Sequence, residues 1–575
     1  MSARTWGFKS PLAHPTDPTD RPSGEQGRHG AGQTSIVPDP LGLVRRPAGV
    51  VTGAVTGLAT GAAVLARAGL LRPMRPDVLP RALLAFLRDG VSPAAAYAYG
   101  AARYPQEPAL SDEGGTLTFD EVPARIAGYG GLLFEHGVRA GSRVGLLARN
   151  HNGFVISAAA LSHVGADVIL MNTASSSEEL ATVADTQELD AVVHDESLAA
   201  SLARLPAAVE RVPVWRPGTA GTTRQPRPPA LSRRRTCFVL LTSGTTGAPK
   251  GAARRAPRSL EPLVGILSRI PYRVRDTTMI ASPLFHAWGF GNLGLALTLS
   301  STLVLRERFD AEETLAALAR HRVRVLVAVP VMLQRIVELP AAVRRRYDTS
   351  SLEVVASSGS ALPGELALEF MDRFGDVLYN LYGSTEAAWA SVATPEELRR
   401  EPATAGRPPY GTRVRIVDDG GRELGPGEIG HILVGNSMAS PIEDGERTAP
   451  GGFVATGDLG HIGSDGLLFV DGRADEMIVS GGENVYPAEV EGHLAAHPAV
   501  KEVAVVGVDD PDFGQRLRAV VVLRDGAAAS EDDLKRYLRT RIAGFKVPRE
   551  IVFLAQLPRN VTGKTLHRTL RDEAP

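Results

Sequence analysis

The stretch Leu241-Thr242-Ser243-Gly244-Thr245-Thr246-Gly247-Ala248-Pro249-Lys250-Gly251 gathers hydroxyls, spaced glycines and one lysine within eleven residues. Small residues let the backbone bend tightly and turn its N–H groups toward one centre. The hydroxyls of Thr242, Ser243, Thr245 and Thr246 add donors, and Lys250 adds a positive charge. Such a loop wraps a polyphosphate. It follows Phe238-Val239-Leu240-Leu241, an apolar run that reads as a buried strand. The usual P-loop differs, because there a Gly-Lys-Ser/Thr triplet opens a helix. The competing reading is a Gly/Thr hairpin turn.

Further candidates follow in order. His286 and Trp288 lie in Pro283-Leu284-Phe285-His286-Ala287-Trp288. Ser358-Gly359-Ser360 ends the apolar run Val354-Val355-Ala356. Tyr379-Asn380-Leu381-Tyr382-Gly383-Ser384-Thr385-Glu386 is a strand running into polar groups. Then come Thr456-Gly457-Asp458, Gly472-Arg473-Ala474-Asp475, Gly481-Gly482-Glu483-Asn484 and Thr562-Gly563-Lys564. Singly, each has an ordinary reading: a turn aspartate, a core tyrosine, a surface charge, a Gly-Gly turn. A core tryptophan beside a satisfied histidine would look like a gate.

The elements around them alternate. Arg143–Ala148, Val168–Met171 and Ala191–Val193 read as strands, with an Ala-rich helix at Gly153–Val164. Pro80–Tyr104 reads as helical, and Asp120 as a helix cap. Met279–Ala281, Leu303–Leu305, Val325–Ala328 and Val354–Ala356 repeat the pattern. Strands alternating with helices imply parallel sheets covered on both faces, with ligands at the strand ends. From about Gly411 short strands with Gly turns take over, and Asp471-Gly472-Arg473 looks like a boundary. The remainder reads as compact α+β. The expected fold class is therefore α/β: a large N-terminal region with two parallel-sheet subdomains and a small β-subdomain, plus a smaller mobile α+β C-terminal domain. The expected domains are a tail at 1–75, the main domain at 76–472 and the mobile domain at 473–575.

Composition sets limits. The 575 residues allow about three or four domain-sized units. The hydrophobic share of 43% and the charged share of 22% are those of a globular protein. A net charge of −1 gives no global field toward nucleic acid or anionic lipid. The one cysteine, Cys237, leaves no internal disulfide and suits the cytoplasm; it reads as a core residue. Residues 1–39 read as a disordered tail without the pattern of a signal peptide. Between Arg46 and Arg67, Gly49, Gly53, Gly57 and Gly61 recur at every fourth residue. That segment, 47–66, reads as a peripheral membrane contact, as a barely long enough membrane-spanning helix, or as a small-residue, low-complexity tail or helix laid on the protein's own surface.

Taken together and in order, these motifs resemble the adenylate-forming enzymes: acyl-CoA synthetases, peptide-synthetase adenylation domains and luciferases. The resemblance covers about residues 100–575. It implies ATP, Mg²⁺ and coenzyme A as cofactors and co-substrates, a small carboxylic acid as substrate, and no nucleic-acid partner. It implies a phosphate loop from Thr242 through Gly247 (Thr242, Ser243, Gly244, Thr245, Thr246, Gly247) to Lys250. Ser358, Gly359 and Ser360 would lie against adenine and acyl group; many relatives have Gly-Ala-Pro-like residues there. Tyr382 would pack on the adenine, Thr385 would touch the α-phosphate, and Glu386 would ligate Mg²⁺. Asp458 would accept from the ribose hydroxyls, and Arg473 would bind ribose or phosphate. Lys564 would neutralise the carboxylate–phosphate encounter. Asp475 would be the hinge, with Gly481, Gly482 and Asn484 meeting pantetheine after rotation. His286 and Trp288 would gate the acyl pocket. The wording around Tyr382–Pro395 is most similar to bacterial fatty-acyl-CoA synthetases, so a medium- or long-chain fatty acid is the expected substrate. The alternatives are an aryl or short-chain acid ligase, an enzyme loading a separate carrier protein, and a non-catalytic nucleotide-binding scaffold.

Overall fold

The computed structural model describes residues 59–572 apart from 74, 75, 77, 220–235, 243–249, 255–258, 385–386, 440–447, 450–451, 475, 481–482, 511–513 and 561–563. The expected tail at 1–39 and most of 47–66 lie outside the described residues.

Two sheets build the N-terminal body. One has six strands in the order Glu210–Pro213, Ala191–His194, Arg143–Leu147, Asp167–Leu170, Phe238–Thr242 and Lys250–Arg254. The first five run parallel and the last pair antiparallel. The other has eight strands: Ser391–Ala393, Leu378–Tyr382, Val354–Ser357, Val325–Ala328, Thr277–Ile280, Thr302–Val304, Pro108–Asp112 and Gly115–Thr118. Its six inner strands are parallel and both edges antiparallel. Val325–Ala328 and Val354–Ser357 are buried along their whole length, which is why they read as unbroken apolar runs.

One pairing departs from sequence order. The hairpin Pro108–Thr118 precedes the six-stranded sheet in the chain yet belongs to the eight-stranded one, with Leu110 opposite Leu303. Ala109 and Leu110 are fully buried there. Helix Asn152–Val164 is buried on nearly every side, so its small residues are needed all round, and it ends on Gly165 in the left-handed region.

The helical stretch expected over Pro80–Tyr104 is two helices, Leu79–Asp89 and Pro93–Arg103. Gly90 and Pro93 explain the break: proline lacks the N–H that would continue the helix, and Ser92 instead caps Ala95 N at 3.2 Å. Asp120 stands at the N-cap of Glu121–Glu135 but makes no side-chain cap. Its carboxylate accepts from Thr118 Oγ1, while Glu121 takes Thr118 N. The described end of the Gly-rich segment, residues 59–67, is helical. Val64 and Ala68 are buried in the main core, and Val274 N donates to Ala68 O at 2.8 Å. That end therefore lies on the protein's own body. No helix among the described residues is long and apolar enough to cross a membrane.

A polar lock joins the two large sheets at their strand ends. Asn150 Nδ2 donates to Ser282 O (2.7 Å) and Ile280 O (3.2 Å), and Leu284 N donates to Asn150 Oδ1 (2.9 Å). Beside it, His151 Nε2 and Asp195 Oδ1 lie 2.7 Å apart, both 1% exposed. Burial works to raise the Asp195 carboxyl, but His151, Arg149 N and Arg216 outweigh it and hold it below its ordinary range.

The β-subdomain pairs Arg413–Val417, Gly430–Gly435, Phe453–Ile462 and Leu468–Arg473 antiparallel. The last strand runs through the expected boundary at Asp471-Gly472-Arg473. The C-terminal α+β unit packs helices Pro487–Ala495 and Glu531–Arg539 through Val490, Leu494, Leu534 and Leu538 onto a mixed sheet. Among the described residues one ion pair ties it to the N-terminal body, Lys501–Glu338 at 3.3 Å.

Gly153 opens the buried helix, and a Cβ there would sit 2.2 Å from Trp215 O. Backbone cannot yield as a side chain can, so Gly153→Ala should lower the melting temperature by about 5 °C or more. Differential scanning calorimetry checks this; an unchanged transition would refute the packing argument.

Candidate active site

Parallel strands of the eight-stranded sheet end at one cleft of about 2410 Å³. Ser358, Gly359 and Ser360 follow Val354–Ser357, and Gly383 and Ser384 follow Leu378–Tyr382; all five line the cleft. Gly359 has φ +99°, a conformation that favours glycine at this tight strand-to-loop turn. Gly383 is as constrained, since a Cβ would lie 2.2 Å from Ala388 O.

Asp458 is the centre of the polar wall. Tyr382 Oη donates to Asp458 Oδ2 at 2.6 Å, and Arg473 Nη1 lies 3.3 Å from Asp458 Oδ1. Asp458 and Arg473 face each other across the paired strands Phe453–Ile462 and Leu468–Arg473. Thr456 Oγ1 accepts from Asp458 N at 3.1 Å and donates to Ile432 O. Burial raises the Asp458 carboxyl; Tyr382, Arg473 and Lys564 pull the other way. Burial and the neighbouring Asp458 push the Tyr382 phenol well up, so it stays a donor.

Lys564 lines the same cleft. Its loop is clamped by Lys564 N to Asn560 Oδ1 and Asn560 N to Lys564 O, both 2.9 Å. The structure thus brings Tyr382, Asp458, Arg473 and Lys564 together with the Ser358–Ser360 turn.

His286 caps helix Ala287–Thr298 by position, and its ring lies tilted beside that of Phe285, centroids 4.4 Å apart. Its Nε2 is buried with no hydrogen-bond partner among the described residues, and burial pulls its pKa down to about 4. Trp288 does not swing free: its Nε1 donates to Ala328 O at 3.0 Å, and its ring packs on two cores. It forms a wall of the cleft.

Several expected residues fall outside the described ones: Ser243, Gly244, Thr245, Thr246 and Gly247, then Thr385, Glu386, Asp475, Gly481 and Gly482. The side chains of Thr242, Lys250 and Asn484 also lie outside. The strands flanking 243–249 pair antiparallel, Thr242 opposite Lys250. The hairpin reading of that loop is therefore right about its connection, and it is compatible with a phosphate loop. Among the described residues no group of three His, Cys, Asp or Glu could hold a metal ion. An ion carried by ATP phosphates needs only one or two carboxylates.

Sequence reasoning missed three contributors. Asn150 joins the two large sheets at their strand ends. Asn436 Nδ2 donates to Ala387 O and Trp389 O, each 2.9 Å, and so shapes the turn after Gly383. Tyr272 Oη donates to Asn292 Oδ1 at 2.9 Å in a buried pair on the apolar wall. None sits in a local motif; an apolar helix bearing one asparagine, as around Asn292, was the only signal.

Known proteins share this arrangement. The AMP-binding enzyme family model matches residues 98–441, and the model of the AMP-binding enzyme C-terminal domain matches 489–564. A feruloyl-CoA synthase of Amycolatopsis sp is 34% identical over 81% of this chain and 96% of its own. A 2-succinylbenzoate–CoA ligase of Geobacillus kaustophilus is 34% identical over 82% and 96%. Among solved structures, an anthranilate CoA ligase with anthranoyl-AMP superposes with TM-score 0.75 at 26% identity, covering 84% of this chain and 97% of that one. An amide bond synthetase from Marinactinospora thermotolerans gives 0.73 at 28%, covering 83% and 98%. Enzymes of this family work with ATP, Mg²⁺ and coenzyme A, and bind small carboxylic acids as their adenylates. The chain belongs to the AMP-binding, adenylate-forming enzymes.

Proposed function

We propose that the protein activates an aromatic carboxylic acid as its acyl-adenylate and passes the acyl group to coenzyme A. The observation that carries this is the aromatic lining of the cleft that Asp458 and Lys564 also line. Phe238 and Phe290 have ring centroids 4.8 Å apart, and both line the cleft with Phe285, His286 and Trp288. Flat rings held by packing suit a flat substrate, since offset and edge contacts add to area burial. Feruloyl-, 2-succinylbenzoate- and indoleacetate-CoA ligases among the relatives support the same choice. The fatty acid favoured by the wording around Tyr382 gives way to the aryl alternative.

The chemistry runs in two displacements. A carboxylate oxygen attacks the α-phosphorus of ATP, and the bond to pyrophosphate breaks. The thiol of coenzyme A then attacks the mixed-anhydride carbonyl, and AMP leaves. No protein nucleophile is required, so positioning and charge do the catalysis. Asp458 has a second lone pair free on each oxygen beyond Tyr382 and Arg473, enough for two ribose hydroxyls. Tyr382, its hydroxyl anchored, offers its ring to the adenine. Lys564 supplies positive charge where the two anions meet. Lys250, Thr385 and Glu386 complete the phosphate and Mg²⁺ contacts, and Asp475 serves as hinge to a pose in which Gly481, Gly482 and Asn484 meet pantetheine.

With ATP, Mg²⁺ and coenzyme A, AMP release should be at least about ten-fold more efficient with ferulate, benzoate or indoleacetate than with octanoate or palmitate. A fatty-acid optimum would overturn the substrate class; acid-dependent pyrophosphate release without need of coenzyme A would overturn the acceptor.

Lys564→Ala should lower acid-dependent pyrophosphate exchange about 10²- to 10³-fold. Asp458→Asn should raise the KM for ATP by about ten-fold, and Tyr382→Phe by less, since it removes an anchor and leaves the ring. Equal ATP affinity in all three, by isothermal titration, would contradict these roles.

His286 is neutral in the folded protein down to about pH 4 but titrates near 6.5 when unfolded. Its neutral burial is tolerated above pH 6.5, and stability is lost as pH falls from there toward 4. The melting temperature of the wild type should therefore drop more between pH 7.5 and pH 5 than that of His286→Gln. Parallel curves would show that His286 is solvated.

A further inference from the structure

Helix Leu79–Asp89 is built inside out. Its alanines Ala82 and Ala85 face the body, 3% and 7% exposed, while Leu79, Leu83, Leu84 and Leu87 are 53–65% exposed. At 100° per residue those leucines span an arc of about 140°. Leu71, shortly before, is 57% exposed as well. An apolar stripe of this kind on one short helix is not what scattered surface leucines look like.

Two observations say what covers it. The first is charge. From Arg67 to Val91 the chain carries Arg67, Arg72, Arg75, Arg81 and Arg88 against Asp77 and Asp89. Asp89 is occupied by His163 Nδ1 at 2.8 Å, and Arg67, Arg72 and Arg81 are exposed with no ion pair among the described residues. An apolar arc with arginines on its flank fits a surface whose interior is apolar and whose face is anionic. The second is place. Asp89, Gly90, Val91, Ser92 and Leu260 line the substrate cleft, and Val91 and Leu260 are 63% and 60% exposed at its rim. The stripe therefore continues into residues that line the same cavity as Asp458.

We propose that the Leu79–Asp89 face docks on an anionic phospholipid surface, and that the apolar acid reaches the cleft from that side past Val91 and Leu260. The route of the acid rests on the function proposed above. The docking does not, and it is measured without substrate.

The test is co-sedimentation of the full chain with phosphatidylglycerol and with phosphatidylcholine vesicles. Partition to the anionic vesicles should exceed that to the neutral ones by about ten-fold or more, and should fall with added salt. The triple variant L83Q/L84Q/L87Q should lose about ten-fold in partition while keeping its melting temperature, its mass by light scattering and its turnover of soluble acids. R67Q/R72Q/R81Q should lose the anionic preference alone, which keeps the proposal testable if the leucine variant folds poorly. Absence of partition, or equal partition by both variants, would overturn it. So would a fall in mass of the leucine variant, which would make a second copy the occupant. A fall of several degrees in its melting temperature would assign the stripe to the chain's own remaining residues.

Discussion

A single buried carboxylate, Asp458, organises the polar half of this molecule. It receives the Tyr382 hydroxyl from the last parallel strand of the large sheet and the Arg473 guanidinium from the last strand of the β-subdomain. Burial alone would favour its protonated form, and three donors or cations oppose that. Burial has the larger effect, and the carboxyl stays above its ordinary range. Its partners come from the large sheet, the β-subdomain and the Lys564 loop, so this polar wall is assembled only when all three are folded, and the Asp458 contact anchors the Tyr382 hydroxyl. Binding site and tertiary structure are here one arrangement.

The two halves of the cleft follow different physics. Around Asp458 the contacts are directional, and each oxygen has an identifiable partner. Around Phe238, Phe285, Trp288 and Phe290 the contacts are mostly packing, with side-chain hydrogen bonds at the Trp288 indole and the Tyr272–Asn292 pair among the described residues. A nucleotide needs the first kind of surface and a flat apolar acid the second. His286 lines the same cleft, with a buried nitrogen that has no hydrogen-bond partner among the described residues.

Much of this was legible before any coordinates. The α/β alternation, the β-subdomain and the C-terminal unit follow from the period of apolar residues and the placing of glycine. The motif order pointed to Tyr382, Asp458, Arg473 and Lys564, which the fold does gather. What escaped was pairing at long range. Nothing local in Pro108–Thr118 says that it joins the sheet containing Leu303, and nothing in Asn150 says that it will bind Ser282 O. The lining of the apolar wall escaped for a related reason: ATP motifs are contiguous, whereas the wall is assembled from Phe238, Trp288 and Phe290, and its shape depends on packing. The bent path at Gly90 was readable from Gly and Pro but hidden by the alanine content on either side.

The ion pair between Lys501 and Glu338 has a thermodynamic meaning beyond geometry. A half-exposed pair of this kind contributes at most about 1 kcal/mol, less in salt. Among the described residues no other ion pair fastens the C-terminal unit to the body that carries Asp458. The unit that brings Lys564 to the cleft therefore gains little from charge pairing with the body among the described residues. Removing that one pair should change the protein's stability by no more than a surface pair contributes.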